Sequence, residues 1–393
     1  MIAADNSHLD NAALPSGDSP ELVLVPATPE ERIESIKLNS VVWKGALDLD
    51  TYLARENHLH QQALVKDGLD IWLLVVRGEA ENQRTILASC ETYKKKAVLA
   101  QDGNVEPISA HGLGSVYCRP EFRGKGYAKR MVSELSKKMD TWQTETILAN
   151  RSRFSVLYSD IGKKFYAQFG WKPYPSAHFS LSPLSKNEHD RAITGVSLPK
   201  AKTLVADDVR HSMCNDEIVR KELGLLRTVS QRSPGAKVAI LPSFEHYKWH
   251  WAREEFLANI LRKDKKPPLI KGAGEDKSRV YCAWNRNFGE TPEENTLYIL
   301  RWIYDEPTSA EETEATARAM AAILKRAQLE AYEWNMAKVQ FWNPTPLMEK
   351  AVAMLDPTAK IIHREMDSVA CLKWNGAEKK DVEWLWNEKY AWC

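Results

Sequence analysis

The run Arg123-Gly124-Lys125-Gly126-Tyr127-Ala128 puts two glycines and two cations into six residues, a composition suited to binding a phosphate group. It follows a β-like run, Gly114-Ser115-Val116-Tyr117-Cys118, and leads into a helix-like run that opens at Gly126. A glycine-bearing turn feeding a helix leaves backbone N–H groups pointing one way, with the positive end of the helix dipole behind them. Gly124 and Gly126 let the backbone approach an anion with no Cβ between them. Arg123 and Lys125 add charge at the rim. Lys129 and Arg130 fall in the first helical turn, where a bound phosphate would offset their unfavourable placement on the dipole. Two other phosphate loops are ruled out: there is no Gly-x-x-x-x-Gly-Lys-Ser/Thr and no Gly-x-Gly-x-x-Gly with a trailing acidic residue. Cys118 has no evident base beside it, which argues against a covalent acyl-enzyme. His246 and His250 stand four apart without the glutamate of a zincin, so they are expected on a helix surface or in the core rather than on a metal.

Around this loop the periodicity places its supports. Ala128, Met131, Val132, Leu135 and Met139 share one helical face, with Lys129, Arg130, Glu134, Lys137 and Lys138 mostly on the other, as in a surface helix packed on a sheet. Residues 154–159 are strand-like, and residues 160–171 read as a short helix closed by Gly170 and followed by Trp171. Upstream, residues 22–25 open the first strand. Thr28-Pro29-Glu30-Glu31 is a helix start with Thr28 as its N-cap. Residues 71–76 and 85–93 form two strands of a meander, and residues 112–118 deliver the chain to the loop. The order is strand, helices, three strands, loop, helix, strand, helix, strand, and it is used up by about Leu181.

The chain therefore divides into a flexible arm (1–20), a phosphate-binding domain (21–182), a polar linker (183–203) and a Trp-rich α+β domain (204–393). The last opens with helix-like residues 216–226 and continues through strand-like 281–284 and 297–304. The longest helix follows, from 310 to about 335, and then a strand at 338–342. This order echoes the core of the first half, but Asp305-Glu306-Pro307 replaces the glycine loop and would repel phosphate. The second half is thus either a degenerate copy of the first or an unrelated α+β domain. Trp384, Trp386, Tyr390 and Trp392 crowd the C-terminus, so the tail is expected to dock rather than to be a loose end.

At 393 residues, net charge +1 and 44% hydrophobic content, two globular domains are the natural reading. Lysine clusters are short and scattered, which excludes nucleic acid as an expected partner. The apolar run at 71–76 is too short to span a membrane. No basic residue precedes Arg32, against a secretory or mitochondrial presequence. Six widely spaced cysteines, with no Cys-x-x-Cys, fit a reduced cytoplasmic interior without a metal site.

Arg-x-x-Gly-x-Ala after a strand, followed by Tyr166, Gly170 and Trp171 in the pattern Tyr-x-x-x-Gly-aromatic, resembles the Gcn5-related N-acetyltransferases. The resemblance implies a mixed α/β fold, an α+β arrangement on a mixed sheet, with acetyl-CoA as cosubstrate and no metal. It implies that Arg123, Gly124, Lys125, Gly126, Tyr127, Ala128 and Lys129 hold the diphosphate. Val116, Tyr117 and Cys118 would bind pantetheine through their backbone, one N–H polarising the thioester carbonyl. Ser159 stands where the family usually has asparagine, and Tyr166 matches the tyrosine that protonates the departing thiolate. Arg119-Pro120-Glu121-Phe122, residues 158–166, the Trp-rich second half and the ending Asn387-Glu388-Lys389-Tyr390-Ala391-Trp392-Cys393 are similar to the fungal lysine N6-acetyltransferases of lysine catabolism. That likeness implies a small-molecule amine acceptor, the side chain of free lysine, acetylated directly in a ternary complex. The alternatives are another small amine, such as a toxin, antibiotic or secondary-metabolite intermediate, or a coenzyme A-binding module without turnover. A buried chain end needs a partner for its carboxylate, so Cys393 is expected either in solvent or on an arginine, or else at the amine site as a catalytic carboxylate.

Overall fold

The structure, a computed structural model, describes residues 14–143, 152–191, 193, 195–375 and 382–392. The first half runs β1 (Leu22–Pro26), α1 (Pro29–Trp43), α2 (Leu49–His60), β2 (Leu69–Val76), β3 (Ala88–Gln101) and β4 (Asn104–Cys118). It continues with α3 (Tyr127–Lys138), β5 (Ser152–Ser159), α4 (Lys164–Ala167), β6 (Lys172–Pro173) and β7 (Ala177–Leu181). Helix α1 starts where expected, with the Thr28 side chain capping Glu31 N–H and Glu31 returning the bond in a capping box. Strands β3 and β4 are longer than their apolar runs. They form one hairpin closed at Asp102-Gly103, both residues in the left-handed region as a tight two-residue turn requires. Lys94, Lys95 and Lys96 alternate exposed, buried, exposed along β3.

The second half runs α5 (Lys186–Asp190), β8 (Lys202–Leu204), α6 (Ala206–Met213), α7 (Asp216–Arg232), β9 (Ala236–Ile240), α8 (Phe244–Leu261), β10 (Gly272–Glu275) and β11 (Val280–Asn287). It ends with β12 (Thr296–Ile303), α9 (Ala310–Glu333), β13 (Lys338–Trp342), α10 (Pro346–Leu355), β14 (Ile362–His363), β15 (Val369–Trp374) and β16 (Val382–Trp384).

Two mixed sheets result. The first has the order β1-β2-β3-β4-β5-β15-β6, with β9 on the far part of β3 and β16 on β9. The second has the order β14-β7-β13-β12-β11-β10-β8. The sheets exchange strands: β15 comes from the second half to pair with β5, and β7 leaves the first half to pair with β13. A shared core joins Ala97, Ile108 and Phe154 of the first sheet to Val238, Tyr247, Trp251, Leu300 and Tyr390. The division at 182–203 therefore separates the chain by sequence, while hydrogen bonds and core packing cross it.

The second half repeats the first in outline. Strands β11 and β12 are antiparallel, α9 crosses over, and β13 returns parallel to β12, as β3, β4, α3 and β5 do. In both copies the parallel pair separates before its strands end, after Leu113↔Leu157 and after Ile299↔Phe341. Among the described residues no helix is long and apolar enough to cross a membrane. His246 and His250 lie buried in α8, as core histidines.

Candidate active site

The phosphate loop lies between β4 and α3. Gly124 and Gly126 have φ of +81° and +88°, and Gly126 is the N-cap of α3. These are backbone states that side-chain-bearing residues rarely adopt. A Cβ at Gly124 would meet nothing within 4 Å, so the space over the loop is open, as an incoming diphosphate requires. Arg123 and Lys129 are exposed beside it, and Arg123 Nε also donates to Cys118 O at 3.2 Å. Lys125 is half-buried, and its carbonyl accepts from Gly17 N–H at 2.9 Å. The Tyr127 ring turns inward against Phe122, its hydroxyl donating to Pro15 O at 2.7 Å. Ala128 is half-buried in the first turn of α3.

Two expectations are corrected here. The arm is not loose as far as residue 20. From Leu14 onward it is docked on the loop, because Gly17 is small enough to lie against Lys125 and Gly126. Arg130 does not reach toward a phosphate; Glu134 and the carbonyls of Ser19 and Leu22 hold its guanidinium.

Where β4 leaves β5, a bulge between Ser89 and Glu91 of β3 shifts the register of β4, and Ser115 takes φ +50°. Such a bulge next to a splayed strand re-aims backbone groups. Val116 and Cys118 are half-buried and Tyr117 buried, its ring 6.1 Å from that of Trp43. Burial raises the Cys118 thiol, which disfavours a nucleophilic thiolate. Tyr166, on α4, is buried in the core that also holds Cys90, Leu113, Leu157 and Cys371. Burial, with smaller contributions from Cys90 and Asp160, raises its phenol, so it is protonated at neutral pH. Ser159 is buried, and its hydroxyl donates to Gly162 O at 2.7 Å. Its one proton closes a local turn, and a bond to pantetheine would have to displace that one.

Beside the splay, against Gly114, Ser115 and Tyr158, lies a cavity of about 240 Å³. Its floor is Glu91, Tyr93, Gly114, Ser115, Tyr158 and Asp160 from β3, β4 and the end of β5, and its roof comes from α2 and α8. This volume falls below the ~300 Å³ at which drug-sized sites begin, so it suits a ligand of amino-acid size. Glu91 is buried, and burial alone would raise its carboxyl. Bonds from His60 at 3.5 Å, from Ser115 Oγ at 2.8 Å and from the Tyr93 hydroxyl outweigh that and hold it at about 2. Asp160 stands at the rim, where the protein packed around it and neighbouring Asp367 push its carboxyl above the ordinary range. None of Glu91, Tyr93, Arg55 or Arg253 belongs to a motif. The available signal was Glu91 itself, a carboxylate in the middle of the strand-like run 85–93, where a charge is rarely buried unless it is partnered.

The last wall of the cavity is Trp392. The tail reaches it through the second copy's splay. Leu385 N–H bonds Val238 O, Trp386 turns with φ +55°, and the Asn387 carbonyl accepts from Asn343. Glu388 accepts the N–H of Trp302 on β12 at 3.0 Å. Tyr390 is fully buried with its hydroxyl on Ile240 O, and Lys95 Nζ donates to Ala391 O at 3.0 Å. The second copy therefore seats the chain's own tail in the wedge that the first copy leaves open. The expected docking of the tail is observed as far as Trp392. Cys393, assigned a catalytic carboxylate, lies outside the described residues.

Fold, phosphate loop and splayed strand define an acetyltransferase of the Gcn5-related type, whose fold uses acetyl-CoA. The family described as LYC1 GNAT-like C-terminal domain matches residues 178–393, and the chain belongs to that family. It is 26% identical to a protein named lysine acetyltransferase from Yarrowia lipolytica, over 70% of this chain and 74% of that one. It is 23% identical to an uncharacterized protein of Saccharomyces cerevisiae, over 90% of this chain and 93% of that one. Among solved structures, the N-myristoyltransferase of Saccharomyces cerevisiae with bound myristoyl-CoA aligns over 94% of this chain and 81% of its own. That alignment has a TM-score of 0.49 at 10% identity.

Proposed function

We propose that the protein moves the acetyl group of acetyl-CoA to the side-chain amine of free lysine, directly, in a ternary complex. The observation that carries this is Glu91, a buried carboxylate kept charged in the cavity floor beside the point where β4 splays from β5. A fixed negative charge there attracts an alkylammonium into a low-dielectric site. The relative named lysine acetyltransferase, at 26% identity, supports the choice of lysine.

The loop 123–129 holds the diphosphate, and the backbone of Val116, Tyr117 and Cys118 lines the pantetheine arm and polarises the thioester carbonyl. An ammonium with pKa near ~10.4 must lose a proton before it attacks. A carboxyl held near 2 is too weak a base for this, so Glu91 anchors the amine while Asp160 accepts the proton. The terminal carboxylate of Cys393 is the second assignment for that role, because its neighbour Trp392 lines the cavity. The freed amine adds to the thioester carbon, the carbon–sulfur bond breaks and Tyr166 gives its proton to the departing thiolate, while the second proton shed by the nitrogen as the amide forms restores the Tyr166 hydroxyl through solvent.

Release of free coenzyme A, measured with lysine, polyamines, an aminoglycoside and a histone-tail peptide, tests the proposal. Lysine should be acetylated with the highest kcat/KM. Turnover of another small amine with none for lysine would overturn the acceptor. Saturable coenzyme binding with no turnover of any amine would overturn catalysis.

A further inference from the structure

The cavity is electrically lopsided. Glu91 and Asp160 come from the sheet, and the guanidiniums of Arg55 and Arg253 come from the helices of the roof. Arg55 is accounted for: it pairs with Glu56 at 2.6 Å, bonds Trp43 O and lies 4.7 Å over the Tyr52 ring. Arg253 is not. Its Nε is buried with no hydrogen-bond partner, and no carboxylate among the described residues forms an ion pair with it. Burial, with repulsion from Arg55, holds its guanidinium down at about 10. Glu56 is taken by Arg55, so the half-buried Arg253 guanidinium lines the cavity with no carboxylate of its own, and a partly desolvated cation left this way is costly unless an anion completes it.

Given the transfer proposed above, on which it rests, we infer that Arg253 is the anchor for the α-carboxylate of the acceptor, and so selects amino acids over plain amines. A planar guanidinium matches a carboxylate through two parallel N–H bonds. An acceptor with an amine at one end and a carboxylate at the other then meets both charged walls. Its amine lies at Glu91 and Ser115 beside the splay, and its carboxylate at Arg253 under α8.

The test compares L-lysine with 1,5-diaminopentane, which is lysine without its carboxylate, in the wild type and in Arg253→Gln. The variant should raise KM for lysine by about 10- to 100-fold, the range for a charge-assisted hydrogen bond. It should change kcat little, and the loss for diaminopentane should be at least tenfold smaller. Equal losses for the two acceptors, or an unchanged KM for lysine, would overturn the inference and leave Arg253 a partner of the chain end or of the fold. Should the variant not fold, calorimetry on the wild type with coenzyme A decides, because lysine must bind more tightly than diaminopentane. If the preferred acceptor is a different amino acid, the lysine assignment fails. The same comparison, made with that amino acid and its decarboxylated amine, then judges Arg253. A wild type that prefers diaminopentane to every amino acid overturns the inference outright.

Discussion

At the cavity, carboxylates of one kind are given different tasks by their surroundings. Glu91 accepts bonds from three side chains and stays ionised, whereas Asp160 stands at the rim beside Asp367 with its proton affinity raised. The folded value for Glu91 lies below its ordinary 4.5. Its contribution to stability is therefore fully present above pH 4.5 and lost as the pH falls toward 2. Glu91→Gln should flatten the acid side of the stability curve over that window, read by urea unfolding at pH 6 and pH 3. The same variant should raise KM for the amine. Identical acid sensitivity in the two proteins would show that Glu91 is not held ionised. Tyr166→Phe should lower kcat by on the order of 10²-fold with acetyl-CoA affinity unchanged, since only a proton donor is lost. Equal turnover would assign the proton to water.

Among the elements, the turn from β4 into α3 is the least tolerant. Gly126 holds φ +88° at the helix N-cap, where a side chain costs about 1–2 kcal/mol in backbone strain and would start 3.5 Å from the Gly17 backbone of the docked arm, at the turn whose N–H groups face the anion. Gly126→Trp should abolish acetyl-CoA binding, and Gly126→Ala should weaken it about tenfold, both measured by calorimetry. A folded Gly126→Trp protein with wild-type affinity would remove the loop from the coenzyme site. The docked arm adds a further constraint, because Gly17 has no room for a Cβ against Lys125 and Gly126. The 3-10 turn Lys389–Ala391 is an element of similar sensitivity. The Lys389 side-chain nitrogen lies 3.8 Å, 4.5 Å and 4.7 Å from the rings of Trp392, Trp342 and Tyr298, so one side chain ties the cavity wall to the second sheet, and burial pulls its amine down to about 7.

For the whole molecule, the second copy works as a support for the tail. Its splay takes Glu388 on the N–H of Trp302 and Asn387 on Asn343, and this fixes where Trp392 stands in the first copy's cavity. Glu388→Ala should therefore raise KM for the amine while leaving acetyl-CoA affinity at the wild-type level, although the residue belongs to the other unit. Parallel loss of both affinities would mean general unfolding instead. One glycine added after Cys393 separates the two assignments of the proton acceptor. Full kcat/KM for lysine in the extended protein, with a loss in Asp160→Asn, would leave the terminal carboxylate no catalytic part. The reverse pattern would assign the proton to the chain end.

Whatever was decided within a dozen residues could be read from the chain. The phosphate loop, the capping box at Thr28, the amphipathic face of α3 and the long helix α9 rest on glycine dihedrals, side-chain caps and periodicity, all of them local. The Asp102-Gly103 hairpin was equally local, yet Lys94-Lys95-Lys96 made β3 look solvated where only alternate side chains are. Strand exchange had no such signal. The apolar patterns of β7 and β15 specify strands but not which sheet edge is free to receive them, and that depends on pairings between residues up to some two hundred positions apart. The cavity is subject to the same physics. Glu91 and Arg253 belong to no motif, and the tryptophans of the tail signal that it docks but not where; only the packing of α2, α8 and the tail over the splayed strands brings two opposite charges and an indole around one space.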